Sequence, residues 1–169
     1  MQVAPDWLLR AIAVGAGATL LMDVWNLLVK HALGIPSLDY CLLGRWLLYM
    51  PSGIVRHVRI AAAQQKPGEC VVGRVAHYGI GLAFGIAFVA LAPGDWLGQP
   101  TLMPPLTFGI ATVAFPLFIM QPSFGLGIAS SKTPKPTQAR LKSLMSHTAF
   151  GAGLYVCALG MRHLLTARG

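Results

Sequence analysis

The chain has 169 residues, of which 55 % are apolar and only 11 % charged, with 13 Lys and Arg set against 5 Asp and Glu. A soluble domain carries about 25 % charged residues, so this composition, with a mean hydropathy of +0.62, excludes an ordinary water-soluble fold and points to lipid as the surrounding medium. The net charge of +8 does not indicate nucleic acid, because the basic residues sit in short segments between apolar runs rather than on one face or helix.

A membrane-crossing helix needs about 20 largely apolar residues, and four stretches qualify: 7–29, 71–92, 102–120 and 141–165. Asp6 and Arg10 precede the first run, and Asp23 and Asn26 interrupt it, which reads as a retained span rather than a cleaved signal peptide. Before the second span, residues 38–50 form a further short helix, with Ser37 as its expected N-cap and Pro51 and Gly53 as its stop. It is too short to cross, and Tyr40, Trp46 and Tyr49 beside Arg45 make it interfacial or re-entrant. Pro93 to Pro100 makes a tight hairpin whose Trp96 suits the headgroup belt, and Pro116 predicts a kink in the third span. The expected fold is all-α: one integral membrane domain over 1–169, with four transmembrane helices and the short interfacial helix.

Lys and Arg set the orientation. Lys30, Arg45, Arg56, Arg59, Lys66 and Arg74 flank or fill the first-to-second connection, and Lys132, Lys135, Arg140 and Lys142 the third-to-fourth. Only Arg10, Arg162 and Arg168 fall on the other side. The positive-inside rule then places both long connections in the cytoplasm and both termini outside. None of Cys41, Cys70 and Cys157 lies in a C-x-x-C or zinc-finger spacing, so they read as small apolar fillers.

Self-comparison finds a weak internal repeat. LGIPS (33–37) aligns with LGIAS (126–130) in the same register as ATL (18–20) with ATV (111–113), an offset of 93 residues. His77 and Gly81 match His147 and Gly151 at an offset of 70. Two tandem helix-pair units would explain both, an arrangement that places binding sites at the repeat interface.

The polar residues within the spans carry the chemistry. Gly15, Thr19, Asp23, Asn26 and Lys30 share one face of the first helix, while His77 lies with Gly73, Gly81 and Gly85 on the second and His147 with Ser143 and Gly151 on the fourth. At 1.5 Å of rise per residue, Asp23 lies roughly 10 Å inward of Lys30, His77 roughly 5 Å inward of Arg74 and His147 roughly 7 Å inward of Lys142. Ionisable groups at shared depth turn inward and find partners. Asp23, Asn26, His77, His147 and Gln121 are therefore the candidate residues for a small polar solute, cation or proton, in a pocket opening to the cytoplasm. Asp23, His77 and His147 are also a ligand set for a divalent metal, Zn²⁺ or Fe²⁺. Arg45, Lys132, Lys135 and Arg140 are candidates for a phosphate or lipid headgroup.

GATLLMD (17–23), GIPSLDY (34–40), GRW (44–46), His77–Tyr78, MQP (120–122), TPKP (133–136), RLKSL (140–144) and His147 together resemble a bacterial family of small four-helix inner-membrane proteins catalogued as domain of unknown function 2938. The resemblance covers nearly the whole chain and implies a four-span fold in the inner membrane; it supplies no activity. Lys135 stands where that family's turn leads one to expect Asn.

Three functional classes follow. One is a protein of the lipid bilayer that binds, and translocates, a small polar solute or ion. A second is a membrane enzyme on a lipid or isoprenoid headgroup, with His77 or His147 as general base. Against catalysis, the chain has no G-x-S-x-G elbow, H-E-x-x-H motif or histidine-box cluster. The third is a structural or assembly subunit, with a homo-oligomer compatible with the glycine-rich faces.

Overall fold

A computed structural model describes residues 6–36 and 39–167. In chain order the helices are α1 (Asp6–Leu33), α2 (Tyr40–Tyr49), α3 (Glu69–Leu91), α4 (Met103–Thr112), α5 (Gln121–Ser123) and α6 (Pro136–Thr166), and among the described residues there is no strand. Short 3₁₀ turns occupy Met50–Ser52, Ile60–Ala62 and Ile128–Ser130, and a π-helical turn covers Pro116–Met120.

Four helical stretches are long and apolar enough to cross a membrane: α1, α3, Met103–Ser123 and α6. At most a third of the most apolar part of each is buried inside the protein. Apolar faces left outside the protein's own core are suited to hydrocarbon, which a helix can enter because its backbone polar groups are satisfied internally.

α1 and α6 outrun the expected spans. In α6 the extra turn starts at Pro136, a residue pre-set for the first helical position because its missing N–H would have no partner there anyway. The kink expected at Pro116 takes the form of the π-helical turn, closed by the Gln121 N–H on the Pro116 carbonyl. Proline removes one ladder hydrogen bond and crowds the preceding turn, which widens the helix locally.

The chain divides into two compact units. The first comprises residues 1–35, 78–111 and 146–169; the second comprises 36–77 and 112–145. Each draws residues from both of the halves that the internal repeat suggests.

In the first unit, Val14, Ala18, Phe88, Trp96, Phe150, Leu154 and Ala158 form the core. Backbones approach closely around it: a methyl on Gly15 would meet the Gly81 carbonyl at 3.0 Å, and one on Gly153 the Ala18 Cα at 2.9 Å. Small residues are what permit such contact between membrane helices. Trp96 is 4 % exposed, which corrects its assignment to the headgroup belt. Its ring stacks edge-on against Phe88 with centroids 4.7 Å apart, and its indole N–H donates to the Thr101 carbonyl, so the hairpin folds it into the core.

In the second unit, Leu43, Ile60 and Phe124 are the core. α2 begins at Tyr40 with Asp39 as its N-cap, the carboxylate accepting from the Cys41 N–H at 2.9 Å. The expected cap, Ser37, lies outside the described residues. The helix stops at Tyr49, where Pro51 turns the chain into a 3₁₀ turn and Gly53 takes a left-handed φ of 76°.

Candidate functional site

α2 crosses the start of α3 so closely that neither Gly44 nor Gly73 has room for a Cβ: a methyl on Gly44 would fall on the Glu69 carbonyl, and one on Gly73 on the Tyr40 carbonyl. Three side-chain pairs meet at this crossing. Tyr40 Oη lies 3.0 Å from His77 Nε2, with the two rings stacked at 4.2 Å. Cys41 and Cys70 are joined by a disulfide. Arg45 donates through Nε and Nη2 to both oxygens of Glu69, at 2.8 and 2.6 Å.

The disulfide corrects the reading of Cys41 and Cys70 as fillers. A separation of 29 residues carries no pairing signal in one sequence, and only the glycine crossing brings the sulfurs together. Cys157 remains a free thiol.

Arg45 was expected at a phosphate. Instead it is 4 % exposed and its Nη1 donates to the carbonyls of Ile60 and Ala63, both at 3.1 Å. Its charge is matched by Glu69, which also accepts from the Lys66 N–H. The hydrogen bond to that carboxylate raises the guanidinium's already high pKa, and burial opposes the shift only in part. Arg45 is thus an internal strut that fixes residues 60–63.

From that strut the chain runs extended over the segment after α5. The His57 N–H donates to the Ser123 carbonyl at 2.8 Å and the Ile60 N–H to the Phe124 carbonyl at 3.1 Å. Gly125, at φ 83°, leaves no room for a Cβ against the Val58 carbonyl. Gly127 is also left-handed, and so are Ala129 and Ser130 at φ 49° and 60°, a conformation that costs non-glycine residues energy. Side chains hold this turn in place: Arg140 Nε donates to the Ala129 carbonyl at 2.7 Å, and buried Ser130 donates to Gln121 Oε1 at 2.7 Å.

Between these strands of chain lies a cavity of about 490 Å³ whose lining includes Arg56, His57, Gly125, Gly127, Ser131 and Lys132. Among the described residues, no Asp or Glu lines it. His57 Nε2 is buried without a hydrogen-bond partner, while its ring meets the edge of Tyr49 at 4.9 Å. A buried polar atom left unpaired costs about 1 to 3 kcal/mol, so a water, an ion or a ligand would each be a favourable partner for Nε2.

The remaining candidates are distributed as follows. Lys132 lines the cavity; Lys135 is exposed and does not; Arg140 braces the Ala129 turn. Gln121 is engaged by Ser130 and, at 3.4 Å, by Ser143. Asn26 accepts from Ser146, which ties α1 to α6 one residue before His147. Asp23 and His147 are half-buried in the first unit, whereas His77 belongs to the second. Among the described residues, no three or more His, Cys, Asp and Glu side chains gather as ligands for a metal ion. His57 reads in the sequence only as part of a basic group with Arg56 and Arg59 after the interfacial helix, able to hold a phosphate but equally placed there by topology; the structure sets Arg56 and His57 at the cavity.

These elements define a small polytopic α-helical membrane protein with a cationic cavity framed by its connecting segments. No curated protein and no solved structure matches the chain. Residues 12–161 match the family described as Protein of unknown function (DUF2938), and the chain belongs to that family.

Proposed function

We propose that this protein binds an anionic phosphate ester, of the kind carried by a lipid headgroup or a small phosphorylated solute, in the cavity between residues 56–58 and 122–132. The observation that carries this reading is the unpaired, buried Nε2 of His57 in a cavity flanked by the cations Arg56 and Lys132, with no carboxylate among the described residues that line it. Guanidinium and ammonium donors make the strongest hydrogen bonds to phosphate oxygens, and Ser131 adds a hydroxyl. In the orientation that the basic residues favour, the cavity opens on the cytoplasmic side of a bacterial inner membrane, where anionic headgroups concentrate.

The test is titration of the purified full chain in detergent with glycerol 3-phosphate, alongside native mass spectrometry after equilibration with phosphatidic acid. Arg56→Gln and Lys132→Gln should each weaken binding about tenfold, the scale of one charge-assisted hydrogen bond, and Lys135→Gln should leave it unchanged. Binding of the lipid alone identifies a headgroup, and binding of both a soluble ester. Unaltered affinity in the Arg56→Gln/Lys132→Gln double variant overturns the proposal.

A second reading places a solute or proton site around Asp23, favoured by the hydrogen bond that draws Asn26 onto Ser146 beside His147. Proton or solute flux into vesicles that is the same for the native chain and Asp23→Asn would end it.

A further inference from the structure

We propose that Cys41 and Cys70 are a dithiol–disulfide exchange site, oxidised and reduced in place by a low-molecular-weight disulfide such as glutathione disulfide. We further propose that the state of this pair sets how firmly the anion cavity is held, which rests on the anion reading above.

Two rules of protein chemistry meet at this bond. Disulfides persist in oxidising compartments, and those in the cytosol are transient, catalytic or sensing. The same connection carries Lys30, Arg45, Arg56, Arg59, Lys66 and Arg74, the charge pattern of a cytoplasmic segment. A bond formed on the basic side of the membrane is therefore one that forms and breaks.

The surroundings suit exchange. Cys70 is exposed, so an attacking thiolate can reach it. Reduction loosens the crossing without undoing it, because Arg45 with Glu69 and the Gly44–Gly73 contact still join the same two helices. After reduction the two thiols stay near one another and can re-form the bond.

The chemistry balances. The Cys70 thiolate attacks one sulfur of glutathione disulfide, forming a mixed disulfide and releasing one glutathione thiolate. The Cys41 thiolate then attacks the Cys70 sulfur and releases the second. The protein's two thiol protons pass to the two released thiolates, and two electrons move from the cysteine pair to glutathione disulfide. Reduction is the reverse.

A short chain of contacts leads from the bond to the cavity. One helical turn beyond Cys41, Arg45 holds the carbonyls of Ile60 and Ala63. Ile60 and His57 are in turn hydrogen-bonded to Phe124 and Ser123. Loosening α2 from α3 loosens the strut, and with it Arg56 and His57.

The experiment uses cells making the full chain with Cys157→Ser, quenched in acid and alkylated with a mass-adding maleimide. Free thiols before a diamide pulse, a bonded pair after it and free thiols again on recovery are expected. A pair oxidised throughout, or one that never oxidises, overturns the exchange site. Purified protein is then titrated with glycerol 3-phosphate in both states, with Cys41→Ser/Cys70→Ser as the permanently open form. Reduction should weaken binding several-fold, and the double variant should match the reduced protein with or without reductant. Equal affinity in both states overturns the coupling. Absence of binding in both overturns the anion reading and the coupling with it, while the thiol trapping decides the exchange site separately.

Discussion

Gly44 and Gly73 lie backbone to backbone: a Cβ on Gly44 would fall on the Glu69 carbonyl and 2.6 Å from the Gly73 nitrogen, and one on Gly73 would fall on the Tyr40 carbonyl and 2.9 Å from the Gly44 nitrogen. From this contact follow the pairings of Tyr40 with His77, Cys41 with Cys70 and Arg45 with Glu69. Gly44→Ala or Gly73→Ala should therefore force α2 away from α3 and cost about 1 to 3 kcal/mol, the usual range for overpacking. Gly79, on the same α3, has nothing within 4 Å of its missing Cβ, and Gly79→Ala should be neutral. Thermal unfolding in detergent, followed by tryptophan fluorescence, compares the three.

Glu69→Gln leaves the buried Arg45 charge without its partner and should destabilise by about 3 kcal/mol. Arg45→Met with Glu69→Met removes both charges and should recover much of that loss. A double variant as unstable as Glu69→Gln would show that the hydrogen bonds from Arg45 to Ile60 and Ala63, rather than charge balance, dominate.

Reducing the disulfide in the purified protein releases the constraint on the 29 residues it spans and should cost about 3 kcal/mol. The melting temperature of the native chain should fall with reductant, and that of Cys41→Ser/Cys70→Ser should not move further.

Asn26→Leu or Ser146→Ala breaks a hydrogen bond between two apolar helices. Such bonds average about 0.6 kcal/mol, so stability should change little. If either variant nevertheless abolishes solute or proton flux in vesicles, the Asn26–Ser146 pair serves function rather than packing.

The four spans were legible in the sequence because each is a local property: about 20 apolar residues in a row, with proline and glycine at the ends. Pro116 announced its distortion for the same reason. Trp96 and Arg45 were misplaced because their residue types suit an interface, and burial depends on how the chain folds back: the hairpin sets Trp96 on Phe88 and Thr101, and the helix crossing sets Arg45 on Glu69, 24 residues away.

By itself the sequence determined the solvent. Its apolar runs and the distribution of Lys and Arg dictate helices that live in lipid, since no other environment accepts so many unburied hydrocarbon side chains. Which polar groups meet was decided only by tertiary structure. The crossing at Gly44 and Gly73 turned Arg45 into a strut and two separate cysteines into a bond. The turn through Gly125 and Gly127 left His57 unpaired beside Arg56 and Lys132. Those contacts depend on angstrom-scale approach between segments that are distant in the chain, and composition and periodicity hold no record of it.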